Sequence, residues 1–114
     1  MPNDRIRIQP AEGTWVARAG GAVIGETEAA LELLHGTDLP LVFFPRADLG
    51  MAFLEPSDTV SAAGDNGPAR FYNIVTRSGV ITDAGWSYEN PGPDAAQIAG
   101  HITFHPDRVT IERV

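Results

Sequence analysis

The chain has 114 residues, 43% of them hydrophobic and 20% charged, which suits one domain with a single core and is too apolar for disorder. Eight basic against fifteen acidic side chains give a formal net charge of −7, which argues against nucleic acid or an anionic membrane as partner, because such binding needs a surplus of Lys and Arg. Cysteine is absent, so disulfides, thiolate zinc sites and cysteine nucleophiles are excluded together.

Gly and Pro supply 12 and 9 positions, scattered between short apolar runs, and this favours many short strands and tight turns over long helices. Residues 1–12 read as an N-terminal extension or first strand, and 13–114 as a single domain. The start MPNDRIRIQPAEG has no apolar leader core, and no run approaches the roughly 18 apolar residues of a membrane span, so a cytoplasmic protein is expected. Thr14 to Arg18 and Ala22 to Thr27 are strand-prone segments around Gly20-Gly21, a pair able to supply the positive φ values of a hairpin turn. Ala29 to Leu34 has a helix-compatible composition but spans barely two turns, and between hairpins it is read as strand.

Leu41 to Phe44 is a continuous apolar run closed by Pro45, the pattern of a strand buried on both faces or running under a loop. Pro45 to Asp48 reads as a turn or one helical turn, Met51 to Leu54 and Thr59 to Ala62 as short strands, and Gly64 to Pro68 as a loop. From Arg70 to Thr76, alternation sends Phe71, Asn73 and Val75 to one face and Arg70, Tyr72 and Ile74 to the other. Val80-Ile81 and Trp86 to Tyr88 continue the sheet until Asn90-Pro91-Gly92-Pro93 stops it. Asp94 is placed to cap a short helix over Ala95 to Ala99, and His101 to Phe104 with Arg108 to Ile111 read as a closing hairpin.

His101 and His105 lie four apart on a predicted strand, on one face but roughly 13 Å from each other, so they cannot share one ion. No metal and no cofactor is expected. Glu55, Asp58, Asp65 and Asp83 are carboxylates near turns, where capping is the ordinary role and acid/base work the functional one; Asp58 is expected to bond its own turn backbone. The common hydrolase and nucleotide-binding motifs are absent. Trp86 and Tyr88, two apart in an extended segment, aim both rings at one face beside a Pro/Gly turn. Together with Tyr72 they read as aromatic pocket walls, against the plainer reading of core packing.

The blocks Phe43-Phe44-Pro45-Arg46-Ala47-Asp48, Leu54-Glu55-Pro56-Ser57-Asp58-Thr59 and Ala84-Gly85-Trp86-Ser87-Tyr88-Glu89-Asn90-Pro91 resemble a bacterial and fungal family known as domain of unknown function 427. The resemblance implies a mainly β domain of two antiparallel sheets meeting at an angle, a β-tent, with one or two short helical turns. That architecture is shared with methionine-R-sulfoxide reductases and with the thalidomide-binding domain of cereblon. Their cysteine-held zinc and sulfoxide chemistry do not carry over to a chain without cysteine. Ala63 and Asn66 stand where many members of the family have Cys and Lys, which puts any function of those two groups in doubt.

Three functional readings follow. The first is a small-molecule binding module, with Trp86, Tyr88 and Tyr72 as walls and Arg46, Glu55 and Asp58 as polar contacts at the mouth. The second is an enzyme with Glu55 or Asp58 as acid/base and Arg46 clamping an anionic substrate. The third is an interaction or homodimerisation module pairing through an edge strand near Arg108 to Val114.

Overall fold

A computed structural model describes residues 6–35, 39–60 and 68–114. The loop expected at Gly64 to Pro68 falls largely outside them, as do Asp65, Ala63 and Asn66. The described chain is mainly β, with strands β1 (Ile6–Pro10), β2 (Trp15–Ala19), β3 (Ala22–Thr27), β4 (Leu31–His35), β5 (Leu41–Phe43), β6 (Leu54–Val60), β7 (Ala69–Thr76), β8 (Gly79–Tyr88), β9 (Ile102–Phe104) and β10 (Thr110–Arg113). Three 3-10 segments, η1 (Arg46–Asp48), η2 (Met51–Phe53) and η3 (Pro93–Ile98), complete it. No helix among the described residues is long and apolar enough to cross a membrane.

The ladders are all antiparallel and form three sheets, β1-β4-β5, β10-β2-β3 and β6-β7-β8-β9. The first and third are joined by one residue pair, in which Phe44 N–H donates to Ile102 O at 2.8 Å and Ile102 N–H to Phe44 O at 3.0 Å. At the β2–β3 turn, Gly20 and Gly21 adopt φ of 56° and 78°, the left-handed pair that a two-residue hairpin matched to strand twist demands. The ambiguous segment after Thr27 is strand β4, because it is hydrogen-bonded on both sides, by β1 and by β5.

Four sequence expectations need correction. Met51 to Leu54 is not a strand: Gly50 O accepts the Phe53 N–H while Gly50 N–H donates to Ile24 O, closing a 3-10 turn before the chain can extend. The strand begins at Leu54 and runs to Val60 as one element, with a register shift between Pro56 and Val60. Pro56 is tolerated because β6 is an edge strand. The short helical segment starts at Pro93 with Gly92 as its cap, ahead of the expected Asp94, and the Ala95 N–H bonds Gly92 O at 2.9 Å. The closing hairpin does not form: β9 pairs with β8 and β10 pairs with β2. His105 O accepts the N–H groups of both Arg108 and Val109, and this turn carries the chain from one sheet to the other.

Two buried clusters result. The larger lies between the four-stranded sheet and β2–β3 and includes Ala17, Ile24, Phe44, Tyr72, Ile74, Ile102 and Phe104. The smaller gathers Leu33, Phe43, Ala95 and Ile98, with Tyr88 packed against it. Gly85 sits at a close approach of β8 and β9: a Cβ there would stand 2.8 Å from both Thr103 O and Phe104 Cδ1.

Candidate functional site

The β7–β8 register sorts the side chains of the main sheet. Arg70 is opposite Ser87 and Tyr72 opposite Gly85, so these share one face; Phe71 is opposite Trp86 and Ala69 opposite Tyr88 on the other. Tyr72 and Trp86, predicted as walls of one cleft, are therefore on opposite sides of the sheet. Tyr72 is buried at 4% exposure.

On the Tyr72 face the chain brings Arg46 across from η1. Its Nε donates to Gly100 O at 2.5 Å, and Nη2 donates to Ser87 Oγ at 3.3 Å and Glu89 Oε2 at 2.6 Å. The guanidinium carbon lies 5.5 Å from the Tyr72 ring centroid. Ser87, fully buried, donates its hydroxyl hydrogen to the same Glu89 oxygen. Arg46 thus cross-braces η1, the end of β8 and the segment leading into β9, and it holds Glu89 in a set position.

Beside this bracket, Pro68, Ala69, Arg70, Glu89 and Asn90 line a hollow of about 160 Å³. Arg70 is exposed, and no ion pair closes between it and Glu89 although both border the hollow. Among the described residues the Arg70 side chain has no hydrogen-bond or ion-pair partner. Its planar guanidinium is available to grip an anionic group, while Glu89, paired with Arg46 through one oxygen, also lines the hollow.

The remaining candidates lie elsewhere. Trp86 stands between Phe71 and His105, with ring centroids 6.1 and 4.6 Å away. Tyr88 packs on Phe43 at 6.3 Å as part of the smaller core. Glu55 and Asp58 are exposed on β6 and do not line the hollow. The turn bond expected of Asp58 is made by its neighbour, since Ser57 Oγ accepts the Thr59 N–H at 3.1 Å.

Asp83 is the perturbed carboxylate. It occupies the β7–β8 register shift with φ of 51°, a conformation Asp tolerates better than most residues, and its N–H donates to Asn73 Oδ1 at 2.9 Å. Hydrogen bonding from the Ser57 hydroxyl holds its carboxyl below the usual range, helped by Thr59 and by the charges of Arg108 and His105, while burial acts in the opposite direction. Its Oδ1 is buried without a hydrogen-bond partner among the described residues. That atom is closed off from solvent, and Asp83 is tied to the sheet by its N–H and by Ser57 and Thr59, so it is not read as a ligand contact.

A larger hollow of about 310 Å³ is lined by Glu26, Thr27, Glu28, Ala29 and Asp48. Its charged groups are of one sign, and Asp48 is already engaged by the buried Thr27 hydroxyl at 2.6 Å. The Arg70–Glu89 hollow is the better candidate because it alone of the two offers charges of both signs.

Sequence reasoning included Arg46 and Tyr72 but missed Arg70, Ser87, Glu89 and Asn90. Strand alternation was the available signal, since the periodicity that aims Trp86 and Tyr88 one way aims Ser87 and Glu89 the other.

Fold and site define a small, mainly β domain with antiparallel sheets and a charged hollow at one sheet end. A family model described as domain of unknown function (DUF427) matches residues 7–114, essentially the whole chain, and the protein belongs to that family. None of the curated proteins matches it.

Proposed function

We propose that the chain is a cytoplasmic small-ligand binding module whose site is the hollow between Arg70 and Glu89. The observation that carries this reading is that an Arg70 side chain without an ion-pair partner lines the same hollow as a Glu89 carboxylate already bonded by Arg46 and Ser87. Pre-fixed polar groups lower the ordering cost of binding, which is how a small site gains affinity. The single bridge between Phe44 and Ile102, which links the first and third sheets, is compatible with a β-tent arrangement.

The reading is tested by native mass spectrometry of freshly purified protein and of its Arg70→Gln variant, each compared with a denatured sample. A one-to-one adduct on the parent protein that is lost on denaturation and depleted in the variant is the expected result. An adduct held equally by the variant, or a bare mass joined to unperturbed amide spectra in a metabolite mixture, would overturn it.

A further inference from the structure

We infer that the hollow between Arg70 and Glu89 takes a small zwitterion, a molecule of free α-amino acid size whose carboxylate lies on Arg70 and whose ammonium group lies on Glu89. The inference rests on the binding reading above and specifies its ligand class.

Three observations lead to it. The two opposite charges border one cavity yet form no ion pair with each other, so the gap between them is space that a ligand bearing both complementary charges would fill. A ligand with an ammonium group alone would leave Arg70 without a partner, and one with a carboxylate alone would leave the second oxygen of Glu89 unused. Oε2 of Glu89 is held by Arg46 Nη2 and by the Ser87 hydroxyl, so its other oxygen is the one left to receive an ammonium hydrogen bond.

Volume limits the ligand further. The hollow, about 160 Å³ and partly open to solvent, is small and matches a molecule of amino-acid size better than a nucleotide. Asn90, on the rim, adds an amide able to donate to a carboxylate or accept from an ammonium group. The Arg46–Glu89 pair beside the hollow is half-exposed, 37% and 44% accessible, which suits a ligand that exchanges with solvent.

The test is amide chemical-shift titration of the whole chain with L-alanine, N-acetyl-L-alanine and L-alaninamide, repeated on Arg70→Gln and Glu89→Gln. L-alanine should move the signals of Ala69, Arg70, Glu89 and Asn90 saturably. Removing either ligand charge should weaken binding at least tenfold, the acetylated compound being rescued in part by Glu89→Gln, which no longer repels or misses a cation. Equal binding of all three compounds, or no saturable shift with L-alanine, overturns the zwitterion assignment. If native mass spectra then still show an Arg70-dependent adduct, the ligand class fails while the site stands. Arg70 is exposed and outside the core, so its substitution tests binding without threatening the fold; a melting curve on Glu89→Gln separates lost bracing from lost recognition.

Discussion

Phe43 and Phe44 are consecutive, both fully buried, and belong to different cores. Alternation along an extended chain sends Phe43 towards Leu33, Ala95 and Ile98 and Phe44 towards Phe104, which it meets edge-on at 5.8 Å. The backbone of Phe44 is also the stitch between two sheets, through its two hydrogen bonds with Ile102. Phe43→Ala and Phe44→Ala should each cost about 3–5 kcal/mol in denaturant unfolding, the usual range for emptying a buried aromatic site. Their footprints should differ. Amide shifts from the first should centre on β4 and η3, and from the second on β9 and β2–β3; coincident footprints would mean a single core.

That pair also shows how far the sequence could be read. A run of four apolar residues closed by proline announced a strand buried on both faces, and the Gly20-Gly21 hairpin was equally plain because both features depend only on neighbouring residues. What could not be read was set by distant partners. Met51 to Phe53 turns because Gly50 is anchored to Ile24, and β9 and β10 part because β8 and β2 each offer a free edge. The site shared this fate: Arg46 was visible as a motif residue, but its bond to Glu89 spans 43 positions and has no local signal. Trp86 and Tyr88 drew attention for their size, while the faces they share with Phe71 and Phe43 became visible only with the register.

Thr27 is buried to 2% exposure, and its hydroxyl both donates to Asp48 Oδ2 at 2.6 Å and accepts the Ala29 N–H at 2.9 Å. Thr27→Val keeps the shape and removes both bonds, leaving a backbone N–H and a carboxylate without their partner. A loss of about 1–3 kcal/mol is expected from equilibrium unfolding. Thr27→Ser, which keeps the hydroxyl and drops a methyl, should recover part of it; a valine variant as stable as the parent would show that solvent replaces both bonds.

Asp83 gives the fold a pH dependence with a definite sign. Its carboxyl titrates below the ordinary value of 3.8 in the folded protein, first through the Ser57 hydroxyl and then through Thr59, Arg108 and His105. A depressed carboxyl contributes stability that is present above its unfolded value and lost as pH falls through the folded one. Asp83→Asn, which retains a side chain suited to the positive φ, removes that contribution. The parent should be the more stable at pH 6, and the gap should close as pH drops below about 4. A gap unchanged between pH 6 and pH 2.5 would assign the difference to shape instead of charge.

Arg46 is worth more as a brace than as half of an ion pair. Its pairing with Glu89 is partly solvent-exposed, and such pairs contribute about 0–1 kcal/mol, so Glu89→Gln should be nearly silent in an unfolding experiment. Arg46→Ala removes in addition the bond to Gly100 O, the contact with the buried Ser87 hydroxyl and the cover over the Tyr72 ring, and should cost about 2–3 kcal/mol. Arg46→Lys keeps the charge without the planar fork that serves these directions at once, and should fall between the two. The order alanine, lysine, then Glu89→Gln, from most to least damaging, is the signature of bracing, and it should persist in high salt because backbone bonds and ring packing are not screened. If Glu89→Gln proves as costly as Arg46→Ala and the difference vanishes with salt, the ion pair itself holds this end of the sheet together, and the charges around the hollow are structural.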